Sequence, residues 1–135
     1  MKTSFLFIFS AGLLFWSCSM IKKEPLKDQN PFLAEYDTPF EVPPFGKIKE
    51  KHYLPAFKEG IKQEWSQIEA IANSSEAPTF KNTIEAIEAS GALLTNVSSV
   101  FYNLNSSNTN DRMQEIAREV SPLLSEHNDN ILLNE

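Results

Sequence analysis

At 135 residues, 41% hydrophobic and 22% charged, the chain has the make-up of an ordinary globular protein and room for one domain or part of one. Its 12 Lys and Arg against 18 Asp and Glu leave a net charge of -6, which weighs against nucleic acid or an anionic lipid surface as the principal partner. The only cysteine, Cys18, excludes an intramolecular disulfide and a cysteine-built structural zinc site.

The N-terminus runs Met1-Lys2-Thr3-Ser4, then an apolar stretch from Phe5 to Trp16, then Ser17-Cys18-Ser19. That order of charge, hydrophobic core and small residues is a secretory signal. Spanning a bilayer takes roughly 20 apolar residues, so the stretch is read as targeting and not as a stable membrane helix. A cysteine directly after it resembles a bacterial lipobox, so residues 1–18 are read as a signal segment with Cys18 as the lipidation site. Phe15 and Trp16 depart from the usual lipobox residues, and cleavage after Ser19 at a small-x-small site is the plainer alternative. Either route predicts export from the bacterial cytoplasm. A lipidated chain would be held at a membrane facing the periplasm or cell surface, and an unlipidated one would be soluble in the periplasm.

Residues 19–29 are polar and lysine-rich without a periodic apolar face, which reads as a tether. From Asn30 to Ile48 four prolines, Pro31, Pro39, Pro43 and Pro44, fix φ and remove backbone donors, so an extended arm is expected. Phe32, Tyr36, Phe40 and Phe45 along it are expected to lay rings onto a helical surface.

Leu54, Phe57, Ile61, Trp65, Ile68 and Ala72 then recur three or four residues apart, a helical stripe over about 50–72. Pro55 belongs in the first turn of such a helix, which sets its start near residue 51. After a turn at 73–78, Thr79 is the expected N-cap of a second helix. Phe80, Ile84, Ile87, Gly91, Leu94, Phe101 and Leu104 trace one face, and Leu93, Val97 and Val100 widen it, so this helix should be sandwiched between neighbours. Ser90-Gly91 predicts a break or a close backbone approach. Asn110 is the expected cap of a third helix carrying Met113, Ile116, Val120, Leu124 and His127, kinked at Pro122. The fold class expected is all-α, with about three packed helices that form part of a larger helical lobe. The apolar Ile131-Leu132-Leu133 followed by Asn134-Glu135 reads as a cut inside a domain.

Taken in order, Asn30-Pro31-Phe32, Pro43-Pro44-Phe45, His52-Tyr53, Pro55-Ala56-Phe57, Pro78-Thr79-Phe80, Asn82-Thr83-Ile84 and Glu88 to Leu94 resemble the start of bacterial peptidyl-dipeptidases of the thimet oligopeptidase family. Ser99-Val100-Phe101 and Asn108-Thr109-Asn110 continue the series, so the resemblance covers nearly all of 30–135. It implies an all-helical zinc metallopeptidase that takes short peptides into a channel between two lobes, with this stretch in the non-catalytic lobe. Family members carry His-Glu-x-x-His, whose two histidines meet one zinc while the Glu activates water. Here His52 is followed at the fifth place by Ala56 and His127 by Ile131, so neither forms that pair. No catalytic or metal-binding residue is therefore expected in this chain, zinc is expected only in the longer protein, and the 135 residues alone are predicted inactive.

His52 and His127 read more plainly as hydrogen-bonded residues at a helix start and a core edge. Glu85 with Glu88 and Glu115 with Glu119 read as solvated faces, because a di-metal site would pair them with histidines. No G-x-S-x-G elbow or glycine-rich phosphate loop is present. The competing reading is a self-contained helical lipoprotein that binds a partner.

Overall fold

In the computed structural model residues 29–133 are described, so the signal segment, Cys18, most of the tether and the last two residues lie outside it. Among the described residues the long elements are α1 (Glu50–Ala72), α3 (Ala92–Ser107) and α4 (Asp111–Leu132). The stretch between α1 and α3 holds a π-helical segment, Phe80–Glu85, and a single turn, α2 (Ala86–Glu88). The all-α expectation holds.

Helix α1 lies against both α3 and α4, and the three share one core. Phe57, Phe101, Ile116, Val97 and Val120 are its largest fully enclosed side chains. Phe101 stands edge-on to Phe57 and Tyr53, with ring centroids 5.4 Å and 5.0 Å away, the quadrupole-favoured arrangement. The inward face of α1 is rotated from the expected stripe. Tyr53, Ala56, Phe57, Gly60 and Ile68 are buried, Leu54, Ile61 and Trp65 are half-buried, and Ala72 is exposed. Small residues explain the rotation: a Cβ on Gly60 would stand 3.0 Å from the Leu94 Cα and backbone nitrogen, so α3 crosses α1 where no side chain intervenes.

Helix starts follow capping chemistry. Asn110 accepts from the Met113 N–H at 2.9 Å, and Thr79 and Asn82 satisfy each other's backbone N–H groups at 3.1 and 2.7 Å. At α1 the His52 ring does this work, its Nδ1 accepting from the Lys49 N–H at 3.0 Å. Pro55 departs from expectation. The helix begins at Glu50, so Pro55 falls in the second turn, where core contacts of its neighbours Ala56 and Phe57 outweigh an interior proline's cost of about 3 kcal/mol. Helix α4 runs through Pro122 to Leu132.

The second helix expected from the sequence is two pieces. Gly91 adopts φ 68°, ψ 19°, a left-handed conformation that ends one and starts the other. C-terminal to it, Leu94, Val97, Val100 and Phe101 are buried as expected; N-terminal to it, Phe80, Ile84 and Ile87 are 69%, 52% and 46% exposed. The arm divides in the same way. Phe32 packs on Tyr53 with centroids 5.5 Å apart and the Tyr36 hydroxyl accepts from Asn96 at 2.9 Å, whereas Phe40 is 97% exposed.

Candidate functional site

The polar cluster that joins the three long helices centres on His127. Its position on α4 follows from the Met113, Ile116, Val120 and Leu124 spacing, which carries the ring inward one turn beyond the apolar core. His127 is buried, and its Nε2 lies 2.9 Å from the Glu64 Oε2 on α1, a ring N–H donating to a carboxylate. Glu64 in turn lies under the start of α3: a Cβ on Gly91 would come within 2.5 Å of its carboxyl carbon. One turn further along α1, Gln67 Oε1 accepts from the Gly91 N–H at 2.9 Å. Gln67 thus holds the left-handed residue from which α3 departs, and the Glu64 carboxylate fills the space beneath it that a Cβ would take.

Two concavities flank this pair. On one side a groove of about 350 Å³ between α1 and α4 is walled by Ile61, Trp65 and Leu123, with Lys58, Lys62 and Glu126 at its rim. On the other a hollow of about 410 Å³ is lined by Glu64, Leu94, Thr95, Ser98 and His127 among others. Such volumes match small-ligand sites. Among the described residues the hydrogen-bond partner of the His127 ring is Glu64, and no hydroxyl of Thr95, Ser98 or Ser99 joins it to form a nucleophile with its base.

His52 and His127 sit where the sequence placed them, at a helix start and at a core edge, on separate hydrogen-bond partners. Among the described residues no group of three or more His, Cys, Asp and Glu side chains stands ready to hold a metal ion. Glu115 pairs with Arg112 at 2.8 Å on an exposed face, and Glu119 approaches the same guanidinium at 3.5 Å, which raises the Arg112 pKa. Glu64 was not singled out from the sequence. Its signal was present: Phe57, Gly60, Glu64 and Ile68 are spaced as one face, and a lone acid there calls for a buried partner.

Comparison with known proteins gives a consistent kinship. The chain is 44% identical over 105 residues to the dipeptidyl carboxypeptidases of Salmonella typhimurium and of Escherichia coli, which covers 78% of the chain and 15% of those proteins. It is 30% identical over 98 residues to oligopeptidase A of Escherichia coli, 14% of that protein. The chain therefore spans about one seventh of the length of the curated relatives it matches. No family model matches it.

Proposed function

As a partial homologue of dipeptidyl carboxypeptidase, within the thimet oligopeptidase family, the chain is related to peptidases far longer than itself, and we propose that it is the N-terminal portion of an exported zinc peptidase that releases C-terminal dipeptides from short peptides. The 44% identity over 105 residues carries this reading. In it the three-helix core belongs to the lobe that walls the substrate channel, and the chemistry resides elsewhere in the longer protein. The described residues do not fit a zinc site of their own. His127 is paired with Glu64 and His52 Nδ1 accepts from a backbone N–H, and among the described residues no three His, Cys, Asp or Glu side chains come together as a zinc site needs. Export is proposed on the Phe5–Trp16 run and membrane anchoring on Cys18.

The test is the coding frame beyond residue 135, read with the mass of the native product. The expected frame continues for several hundred residues into His-Glu-x-x-His. A stop with a native mass near 15.3 kDa would overturn the proposal. So would chelator-sensitive release of dipeptides by the purified 135-residue chain.

One observation favours the second reading, a self-contained helical binding module. Buried side-chain polar atoms among the described residues all have hydrogen-bond partners, as expected of a core that closes without further chain. The groove over Trp65 would then be the ligand site. A sharp melt of a clean monomer supports that module, whereas self-association through Phe80, Ile84 and Ile87 supports the excised lobe.

A further inference from the structure

The tip of the arm, residues 38–48, is a folded structure that holds apolar side chains in water. The Thr38 hydroxyl donates to the Val42 carbonyl at 2.5 Å, and the Glu41 N–H to the Thr38 carbonyl at 3.0 Å. The Phe45 and Lys47 N–H groups donate to the Pro43 and Pro44 carbonyls, both at 2.8 Å. Within this frame Phe40 and Glu41 both take left-handed backbone, φ 58° and 55°, which residues with a Cβ adopt at a cost. The outcome of that strain is outward display: Phe40 is 97%, Phe45 51% and Val42 46% exposed.

Basic residues follow at once. Lys47, Lys49 and Lys51 converge on one hollow of about 280 Å³ with Gly46 and Pro31. Glu50 accepts from Asn110 at 2.8 Å at the start of α4, and within residues 38–48 Glu41 is the one acid beside Lys47. The net charge of -6 thus conceals a local cationic cluster. Phe40 and Phe45 are five residues apart, so they lie within roughly 17 Å of each other, close enough to meet one planar surface together.

We propose that this tip is a membrane-interface contact, in which Phe40, Val42 and Phe45 enter the headgroup boundary of an anionic bilayer and the exposed Lys47 and Lys49 face its phosphates. Exposed aromatic groups beside clustered lysines match that surface in both its apolar and its charged layer. An uncharged protein surface would match the aromatics alone. The contact concerns the folded tip and does not require lipid on Cys18, though an anchor upstream would raise the local concentration of the bilayer.

The experiment is hydrogen–deuterium exchange of the full chain with vesicles of phosphatidylcholine alone and with added phosphatidylglycerol, read locally over residues 39–51. Local readout separates the tip from binding by the apolar run at Phe5–Trp16, which affects both vesicle types. Several-fold slower exchange over 39–51 on anionic vesicles, weakened by salt and lost in Phe40→Ser and in Lys47→Glu/Lys49→Glu, is the expected result. Both variants alter exposed side chains, and an unchanged melt shows that they fold. Unchanged exchange on anionic vesicles overturns the proposal. Equal protection on neutral vesicles, or protection that appears without lipid as protein concentration rises, overturns it too, the last by making the tip a protein interface. Failure here leaves the peptidase reading standing, since that rests on the coding frame.

Discussion

The stretches on either side of Gly91 carry the same helical spacing of apolar residues and meet opposite fates. Leu94, Val97, Val100 and Phe101 are buried in α3, while Phe80, Ile84 and Ile87, spaced just as regularly, stand in solvent. Periodicity reports which face of a helix is apolar; it does not report whether anything lies opposite. What separates the two stretches is the backbone at Gly91, held by Gln67 of α1, which redirects the chain so that the second stretch runs along α1 while the first meets it at the short α2 turn.

Substitution at matched positions should expose that difference most strongly. Phe101→Ala removes a fully enclosed ring with three aromatic neighbours and should cost about 3–5 kcal/mol in a urea melt, against less than about 0.5 kcal/mol for Phe80→Ala. Similar losses at the two sites would mean that the Phe80 stretch is covered in solution. Gly60→Ala comes next. Its new methyl meets Leu94 backbone at 3.0 Å, atoms that cannot swing aside, so overpacking should cost about 1–3 kcal/mol. A neutral Gly60→Ala would show that α3 slides freely over α1. Glu64→Leu leaves the buried His127 ring without its acceptor, a loss of about 1–3 kcal/mol, whereas Glu64→Gln keeps an acceptor oxygen and should lose less. Equal losses would assign the effect to packing beneath Gly91 and not to the hydrogen bond.

Much of this was legible in the sequence for identifiable reasons. Caps at Thr79 and Asn110, the stripe of α4 and the interruption at Ser90-Gly91 depend on residues within four or five positions of one another, and all were readable. The rotation of α1 was not, because Ala56 and Gly60 carry little apolar weight in a periodic pattern and yet mark where a second backbone approaches. Phe40 was misjudged for a related cause. Aromatic content predicts contact, but the left-handed turn at Phe40 and Glu41 points the ring away from the helices, and neither residue advertises such a backbone. In the candidate site His127 was visible on its stripe, while Glu64 became meaningful only once α1 and α4 were set side by side. The family resemblance, carried by an ordered series of short motifs, was the most informative reading, since kinship needs no contact to be inferred.

The smallest effect at neutral pH falls on the aromatic cluster that the buried stretch builds, and it becomes informative in alkali. Burial raises the Tyr53 pKa above the ordinary 10.0, and the nearby Glu50 charge raises it further. A phenol whose folded pKa is raised favours the native state while neutral, so this contribution is whole below pH 10 and is lost as pH climbs through the folded value. Tyr53→Phe keeps the ring between Phe32 and Phe101 and deletes the ionisation, so its melt should change little at pH 7 and fall less steeply than the parent's above pH 10. Tyr36 and Tyr102 are raised by burial as well, so part of the alkaline loss should survive the substitution. Identical alkaline curves for parent and variant would mean that the Tyr53 hydroxyl reaches water, and with it that the arm carrying Phe32 is not seated on α1 as the enclosed ring requires.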